Sequence, residues 1–223
     1  MATRARRSPE VRAPLSRDRV LRAEIALADE SGIDALSMRK LGQALGVEAM
    51  SLYNHVASKD DILGGIVDLV IGEFELPVAG ADWKAELRRA AISASDVLSR
   101  HPWAATVMLS STGSSPARWR WMNAILCTLR TAGFSADLTD RAYHTLDSHI
   151  TGFTLWLVQL DVEPDDLPAL AEQFLGQLPT DELPYLVEHV HHHIQDRDPD
   201  DSGTFAFGLD LILDGLEGLL ARS

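Results

Sequence analysis

Residues 37 to 59 read Ser37-Met-Arg-Lys-Leu-Gly-Gln-Ala-Leu-Gly-Val-Glu-Ala-Met-Ser-Leu-Tyr-Asn-His-Val-Ala-Ser-Lys59. They constrain this chain more than any other stretch, because they admit little except two short helices around a tight turn. Ser37 suits a helix start, since its hydroxyl can accept an otherwise orphaned N–H. Leu41, Ala44 and Leu45 fall on one helical face. Gly46 stands where that helix must stop and reverse, a position that favours positive φ. Val47 is expected between the helices, and a second helix is expected from Ala49 to His55, with Leu52 and Val56 turned inward. Gly42 is small where the two helices should cross. Such a pair is a helix-turn-helix, whose second helix enters the DNA major groove.

The face left outward supports DNA reading over a plain hairpin. Ala49 and Met50 suit an approach to base edges and thymine methyls. Ser51, Tyr53, His55 and Lys59 are phosphate-type donors, and Asn54 lies among them. The formal charge of −13 is unevenly spread. Residues 1–60 hold ten Lys/Arg and eight Asp/Glu, whereas 61–223 hold ten and twenty-five. An acidic body with a basic N-terminal end fits a protein that meets DNA only at that end, although a basic tail on an acidic surface would look the same.

Along the rest of the chain every segment reads as helix or breaker, with no period-2 strand run, so the fold class is all-α. Residues 1–15, with scattered arginines and two prolines, read as a disordered basic arm. A helix is expected over 17–30, with Val20, Leu21, Ile25 and Ala28 inward and Gly32 as its stop. Ser58 restarts the chain into a helix that carries Ile62, Ile66, Leu69, Val70 and Phe74 towards Pro77. The domains read as 16–76, helix-turn-helix, and 81–223, a second helical domain with a dimerisation helix at its end. In the latter, helices are expected over 83–100, 103–109, 117–131, 137–160, 168–176, 180–194 and 205–220, with loops at 110–116 and 196–203. The last helix has Phe205, Leu209, Ile212, Leu216 and Leu219 as one stripe and further apolar residues beside it. It must be covered on more than one side, which points to a bundle with the 137–160 helix and a second copy of the chain.

Several candidate chemistries carry less weight. Cys127 is the only cysteine, so no intrachain disulfide is expected, and its apolar helical surroundings suggest a small core residue. His189 and His193 stand at a two-ligand zinc spacing, with His191 and His192 between them. Solvated histidines near a helix end are the better reading, and no metal site is expected. Asp147 with His144 and His149 suggests an acid–base pair, but no nucleophile elbow or phosphate-binding glycine loop accompanies it, so no enzyme activity is expected. A secretory segment and a membrane-spanning run are both absent from the pattern, which makes a reducing cytoplasm the expected compartment.

Ser37-Met-Arg-Lys-Leu, Leu45-Gly-Val and Leu52-Tyr-Asn-His-Val-Ala-Ser-Lys59 resemble the N-terminal domain of the tetracycline-repressor (TetR) family of bacterial regulators. The resemblance is close over 16–75. It continues more loosely through Gly133-Phe, Gly152-Phe-Thr-Leu and Phe205-Ala-Phe-Gly-Leu-Asp-Leu-Ile-Leu-Asp-Gly-Leu-Glu217, which is similar to the final dimerisation helix of the tetracycline repressors. It implies that Arg39 contacts a base and that each C-terminal domain holds a small molecule. The positions that bind tetracycline and its Mg²⁺ in those repressors fall here on Ala90, Ala94 and Met108. The departure implies a larger, apolar site and no metal cofactor. Candidate walls are Trp103, Met108, Trp121, Ile125 and Phe153, with Asp147 as a polar orienter.

The sequence thus predicts a homodimeric transcriptional regulator, a repressor released from a palindromic double-stranded operator by a small, largely apolar effector, with no cofactor and no membrane. DNA contacts are assigned to Arg39, Ala49, Met50, Ser51, Tyr53, Asn54, His55 and Lys59, and to Arg4, Arg6 and Arg7 of the arm. The alternatives are a helical ligand- or metal-binding protein with a vestigial helix-turn-helix, and an enzyme using Asp147 and His144.

Overall fold

The computed structural model describes residues 14–110, 115–159, 167–195 and 202–222. Among them every regular element is helical: α1 (Arg17–Ser31), a 3₁₀ turn (Ile33–Ala35), α2 (Met38–Leu45), α3 (Ala49–Leu52), α4 (Lys59–Ile71), α5 (Trp83–Arg100), α6 (Pro102–Ser110), α7 (Pro116–Thr131), α8 (Ala136–Gln159), α9 (Leu167–Leu175), α10 (Pro184–Gln195) and α11 (Ser202–Leu220). The chain divides into two compact units, Met1–Ile66 and Val67–Ser223. The division falls inside α4.

In the first unit the helix ends follow their local chemistry. Ser16 and Ser37 cap α1 and α2 by accepting from the Arg19 and Lys40 amides. Ser58 accepts from the Asp61 amide at the head of α4. Gly32 and Gly46 take positive φ, 76° and 68°, which a side chain would resist. Asp61 fastens α4 to α1. Its carboxylate accepts two bonds from the Arg17 guanidinium, at 2.6 and 2.7 Å, and one from the Ala57 amide at 2.8 Å. Those partners, Arg17 first, hold the Asp61 carboxyl below its usual range.

Two inward assignments and one helix end need correction here. Glu24, at 1% exposure, occupies the inner position of α1, while Ile25 is half-buried. Adjacent residues on a helix differ by about 100° in direction, so the apolar pattern alone did not separate the two. Ala44 is exposed, and Gly42 is the small buried residue of α2 instead. The second helix of the pair ends at Leu52 rather than His55, and the chain continues in turns with His55 and Val56 amides donating to the Leu52 carbonyl.

In the second unit α8 packs against α5, α6, α7 and α11, and α11 also lies on α5. Helices α9 and α10 pair with each other. Asp82 caps α5 by accepting from the Lys84 and Ala85 amides. Along the α5–α11 seam, Lys84 meets Asp214 and Glu217 at 2.7 and 2.6 Å, and Arg88 meets Asp210 at 2.7 Å. Between α8 and α11, His149 stacks on Phe205, with ring centroids 4.8 Å apart, and its Nε2 lies 3.0 Å from the Phe205 carbonyl oxygen. Gly208 makes that approach possible, because a Cβ there would stand 2.6 Å from the His149 ring.

The inner stripe of α11 is Phe205, Leu209, Leu213 and Leu216. Ile212 is half-buried and Leu219 is 44% exposed, so the expected stripe holds at Phe205, Leu209 and Leu216, with Leu213 inward in place of Ile212. Cys127, expected in the core, is exposed on α7. The helix expected to begin at Thr180 starts at Pro184, after a turn. The arm arginines Arg4, Arg6 and Arg7, the tip of the 110–116 loop and most of 196–203 lie outside the described residues.

Candidate nucleic-acid interface and regulatory core

The α2–α3 pair is fixed by backbone geometry. Gly46 donates to the Gln43 carbonyl at 3.1 Å and Val47 to the Gly42 carbonyl at 2.9 Å. At Gly42 a Cβ would stand 2.9 Å from the Val47 oxygen and 3.2 Å from the Ala49 nitrogen. Any larger residue would push the head of α3 away. Leu52, at 0% exposure, and Val56, at 2%, anchor the far side.

What remains outward is the set of residues assigned to DNA. Met50 is 74% exposed and Tyr53 is 48% exposed. Arg39, Asn54 and Lys59 are exposed, while Ala49, Ser51 and His55 are half-buried at the edge of the face. An isolated methionine this exposed has no packing role in the chain. It suits contact with base methyls, and the polar groups around it suit phosphate oxygens. Lys59 also lies within electrostatic reach of Glu24. Burial nevertheless dominates at Glu24 and pushes its carboxyl up to about 7, with one oxygen left without a hydrogen-bond partner. Nothing in the apolar periodicity announced that group. Its only signal was a carboxylate one residue away from the expected inner position.

In the second unit the expected effector walls are distributed over three adjoining helices. Trp103 and Met108 on α6 and Trp121 and Ile125 on α7 are buried, and Asp147 and Phe153 on α8 are half-buried. Ala90, Ala94 and Met108, the positions that the resemblance sets against drug and metal contacts, are all buried. Trp121 packs edge-on against Phe74, with centroids 5.2 Å apart. Phe153 belongs to a second aromatic group with His149, Trp156 and Phe205.

Asp147 is held in a polar cluster that the sequence reading named only in part. Burial raises its pKa, opposed by the charges of Arg118 and His144 and by a hydrogen bond from Tyr143. The Tyr143 phenol is pushed up to about 12, by burial first and then by the Asp147 charge. Arg118 donates to the Met108 carbonyl at 3.0 Å. His144 is exposed, and its Nε2 is 3.7 Å from Asp140. Tyr143 and Arg118 were missed because only their positions opposite Asp147, on its own helix and on α7, make them relevant. His189, His191 and His192 are exposed on α10, and among the described residues no three His, Cys, Asp or Glu side chains are placed to hold a metal ion.

Comparison with known proteins agrees with this geometry over both units. Residues 20–66 match the model for bacterial regulatory proteins of the tetR family, and residues 76–220 match that for the tetracyclin repressor-like C-terminal domain. The HTH-type transcriptional repressor DrrR1 of Streptomyces coeruleorubidus is 31% identical over 216 residues, covering 93% of this chain and 79% of that protein. Tetracycline repressor protein class D of Escherichia coli is 32% identical over 209 residues, covering 92% and 90%. Among solved structures, the Streptomyces coelicolor TetR family protein ActR in complex with actinorhodin is similar with a TM-score of 0.74 at 28% identity, covering 92% of this chain and 98% of that one.

Proposed function

The chain belongs to the TetR family and is a DNA-binding transcriptional regulator; from that premise we propose that it is a homodimeric repressor, released from a palindromic operator by a small, largely apolar molecule. The observation that carries the DNA assignment is the α2–α3 face, where Met50 stands 74% exposed among Arg39, Ser51, Tyr53, Asn54, His55 and Lys59. Arg39 and Ala49 to Ser51 read bases, and the remaining polar groups hold phosphates. Twofold pairing through α8 and α11 sets two such faces on half-sites about one helical turn apart. The operator as partner places the working protein in the cytoplasm.

The effector reading rests on the buried Ala90, Ala94 and Met108 and on the apolar side chains of Trp103, Trp121, Ile125 and Phe153, with Asp147 as the polar orienter. A neighbour, ActR, holds actinorhodin. An effector releases DNA only if it binds the non-operator conformation better than the operator-bound one. Helix α4, which begins in the first unit and ends in the second, is the lever between them.

The test is fluorescence anisotropy with the intergenic duplex upstream of the protein's own gene, against a scrambled duplex, followed by titration with actinorhodin and with tetracycline–Mg²⁺. Preferential binding to the upstream duplex is expected. Equal affinity for both duplexes sinks the operator reading. Release by tetracycline–Mg²⁺ alone, abolished by EDTA, sinks the apolar, metal-free effector.

A further inference from the structure

The C-terminal end of α4 is tied to the head of α7 by one carboxylate. Asp68 Oδ1 accepts from the Ser115 hydroxyl at 2.8 Å and from the Ala117 amide at 2.8 Å. Ser115 is itself the cap of α7, accepting from the Arg118 amide at 3.1 Å. Pro116 has no N–H to offer, so Ser115 and Asp68 together serve the first donors of α7. Ser115 is 8% exposed, and without Asp68 its hydroxyl proton would have no acceptor among these contacts. A helix that needed only capping would be served by its own serine. Here the second acceptor comes from a residue 47 positions away.

A second contact fixes the same two segments. Phe74, just beyond α4, packs edge-on against Trp121 of α7. Trp121 lies one turn beyond Ala117, and Ile125 lies one turn further. Both are among the proposed effector walls. Arg118, whose amide is in the capping relay, donates from its side chain to the Met108 carbonyl and balances the charge of Asp147. The head of α7 thus touches the regulatory core on one side and α4 on the other.

We infer that Asp68 is the positioning residue that couples DNA occupancy to the regulatory core, by tying α4 to the capped head of α7. The inference rests on the regulator reading above. Linkage makes it reciprocal: if the state of α7 changes operator affinity, operator binding changes the opening of α7 by the same factor. The coupling can therefore be read with DNA as the only ligand.

The experiment is hydrogen–deuterium exchange of the 115–121 segment in the full chain, with and without the upstream intergenic duplex. In the unaltered protein DNA should change exchange there by ~5-fold or more, the low end of allosteric coupling. Asp68→Ala should remove that DNA dependence. Asp68→Ala combined with Ser115→Asp supplies a local carboxylate cap, so it should restore basal protection of α7 but not the response to DNA. Ser115→Ala, which removes one of the two donors, should weaken the response and serves if Asp68→Ala does not fold. A DNA response that persists in Asp68→Ala, or returns in the double variant, would reduce Asp68 to a cap and overturn the inference. An unaltered protein that binds the duplex without any change at 115–121 overturns it equally. Failure of the unaltered protein to bind the duplex overturns the operator reading and the inference together.

Discussion

Helices α3 and α11 both leave large apolar side chains exposed, but in different company. On α3 and the turn after it, Met50 and Tyr53 stand among Ser51, Asn54, His55 and, further on, Lys59. On α11, Phe207, Leu211 and Leu219 are 66%, 58% and 44% exposed, with Gly215 and Gly218 lowering the surface between them. The first face mixes apolar contact with hydrogen-bond donors, which suits a hydrated polyanion whose bases are read in a groove. The second is a stripe of apolar side chains at helical spacing, which suits a dry partner such as the same stripe on a second copy. On the proposed reading, apolar exposure marks two interfaces of opposite chemistry, and each should fail under a different perturbation.

The largest effect is expected on the dry face. Leu211→Asp places a charge at the centre of the proposed bundle without touching the inner stripe of Leu209, Leu213 and Leu216. A central apolar anchor in an interface is worth about 2–4 kcal/mol on truncation, and a buried charge costs more. Sedimentation should show monomers at micromolar concentration in both low and high salt, with helix content retained. A Leu211→Asp protein that sediments as an intact dimer would place the interface elsewhere and dissolve the contrast.

The second expectation concerns what lies beneath the wet face. Glu24 has its carboxyl raised from 4.5 to about 7 by burial. The folded state therefore holds the proton more tightly than the unfolded one. Stability from this group is fully present below pH 4.5 and is lost as pH rises to about 7. A rise of that size corresponds to about 3 kcal/mol. Glu24→Gln, neutral at every pH, should exceed the unaltered protein in stability by up to that amount at pH 8 and by little at pH 4.5. Urea denaturation at fixed protomer concentration reads the difference at each pH. An advantage independent of pH would mean that Glu24 finds water or a cation when ionised.

Third, Arg39→Ala should cost about 1–3 kcal/mol of preference for the upstream duplex over a scrambled one, the worth of a bidentate arginine–guanine contact. Dimerisation should be untouched, because Arg39 lies on the wet face. Unaltered preference, measured by anisotropy in one buffer, would remove Arg39 from the readers.

Much of this was legible because helix ends are written locally. Ser37, Gly32 and Gly46 each declare a start or stop through one side chain or its absence, and the 83–100 boundaries were read as the structure has them. The close approach at Gly42 was likewise readable from its size and place. Inner faces were less so. Leu213 in place of Ile212, and Glu24 in place of Ile25, are shifts of one residue in helices where apolar side chains stand on several sides. Periodicity weighs composition, whereas the packing partner decides direction. Contacts distant in sequence, such as Asp68 with Ser115 and His149 with Phe205, left no trace in the pattern at all.

The smallest expected effect is also the one that best separates the two faces. Lys59 is exposed at the head of α4, beside the turn that follows α3. As a phosphate contact it carries no sequence information, so Lys59→Ala should weaken binding to the upstream and scrambled duplexes by the same factor. Each neutralised phosphate contributes through release of condensed counterions. The plot of log affinity against log salt should therefore lose roughly 1 from its slope for each half-site lysine removed. The dimer constant, set by apolar contact on α11, should show no matching salt dependence. An unchanged DNA salt slope in Lys59→Ala would take this residue off the phosphate backbone. It would leave the Lys59 ammonium the lesser role of moderating the buried charge of Glu24, the only other duty that the structure gives it among the described contacts.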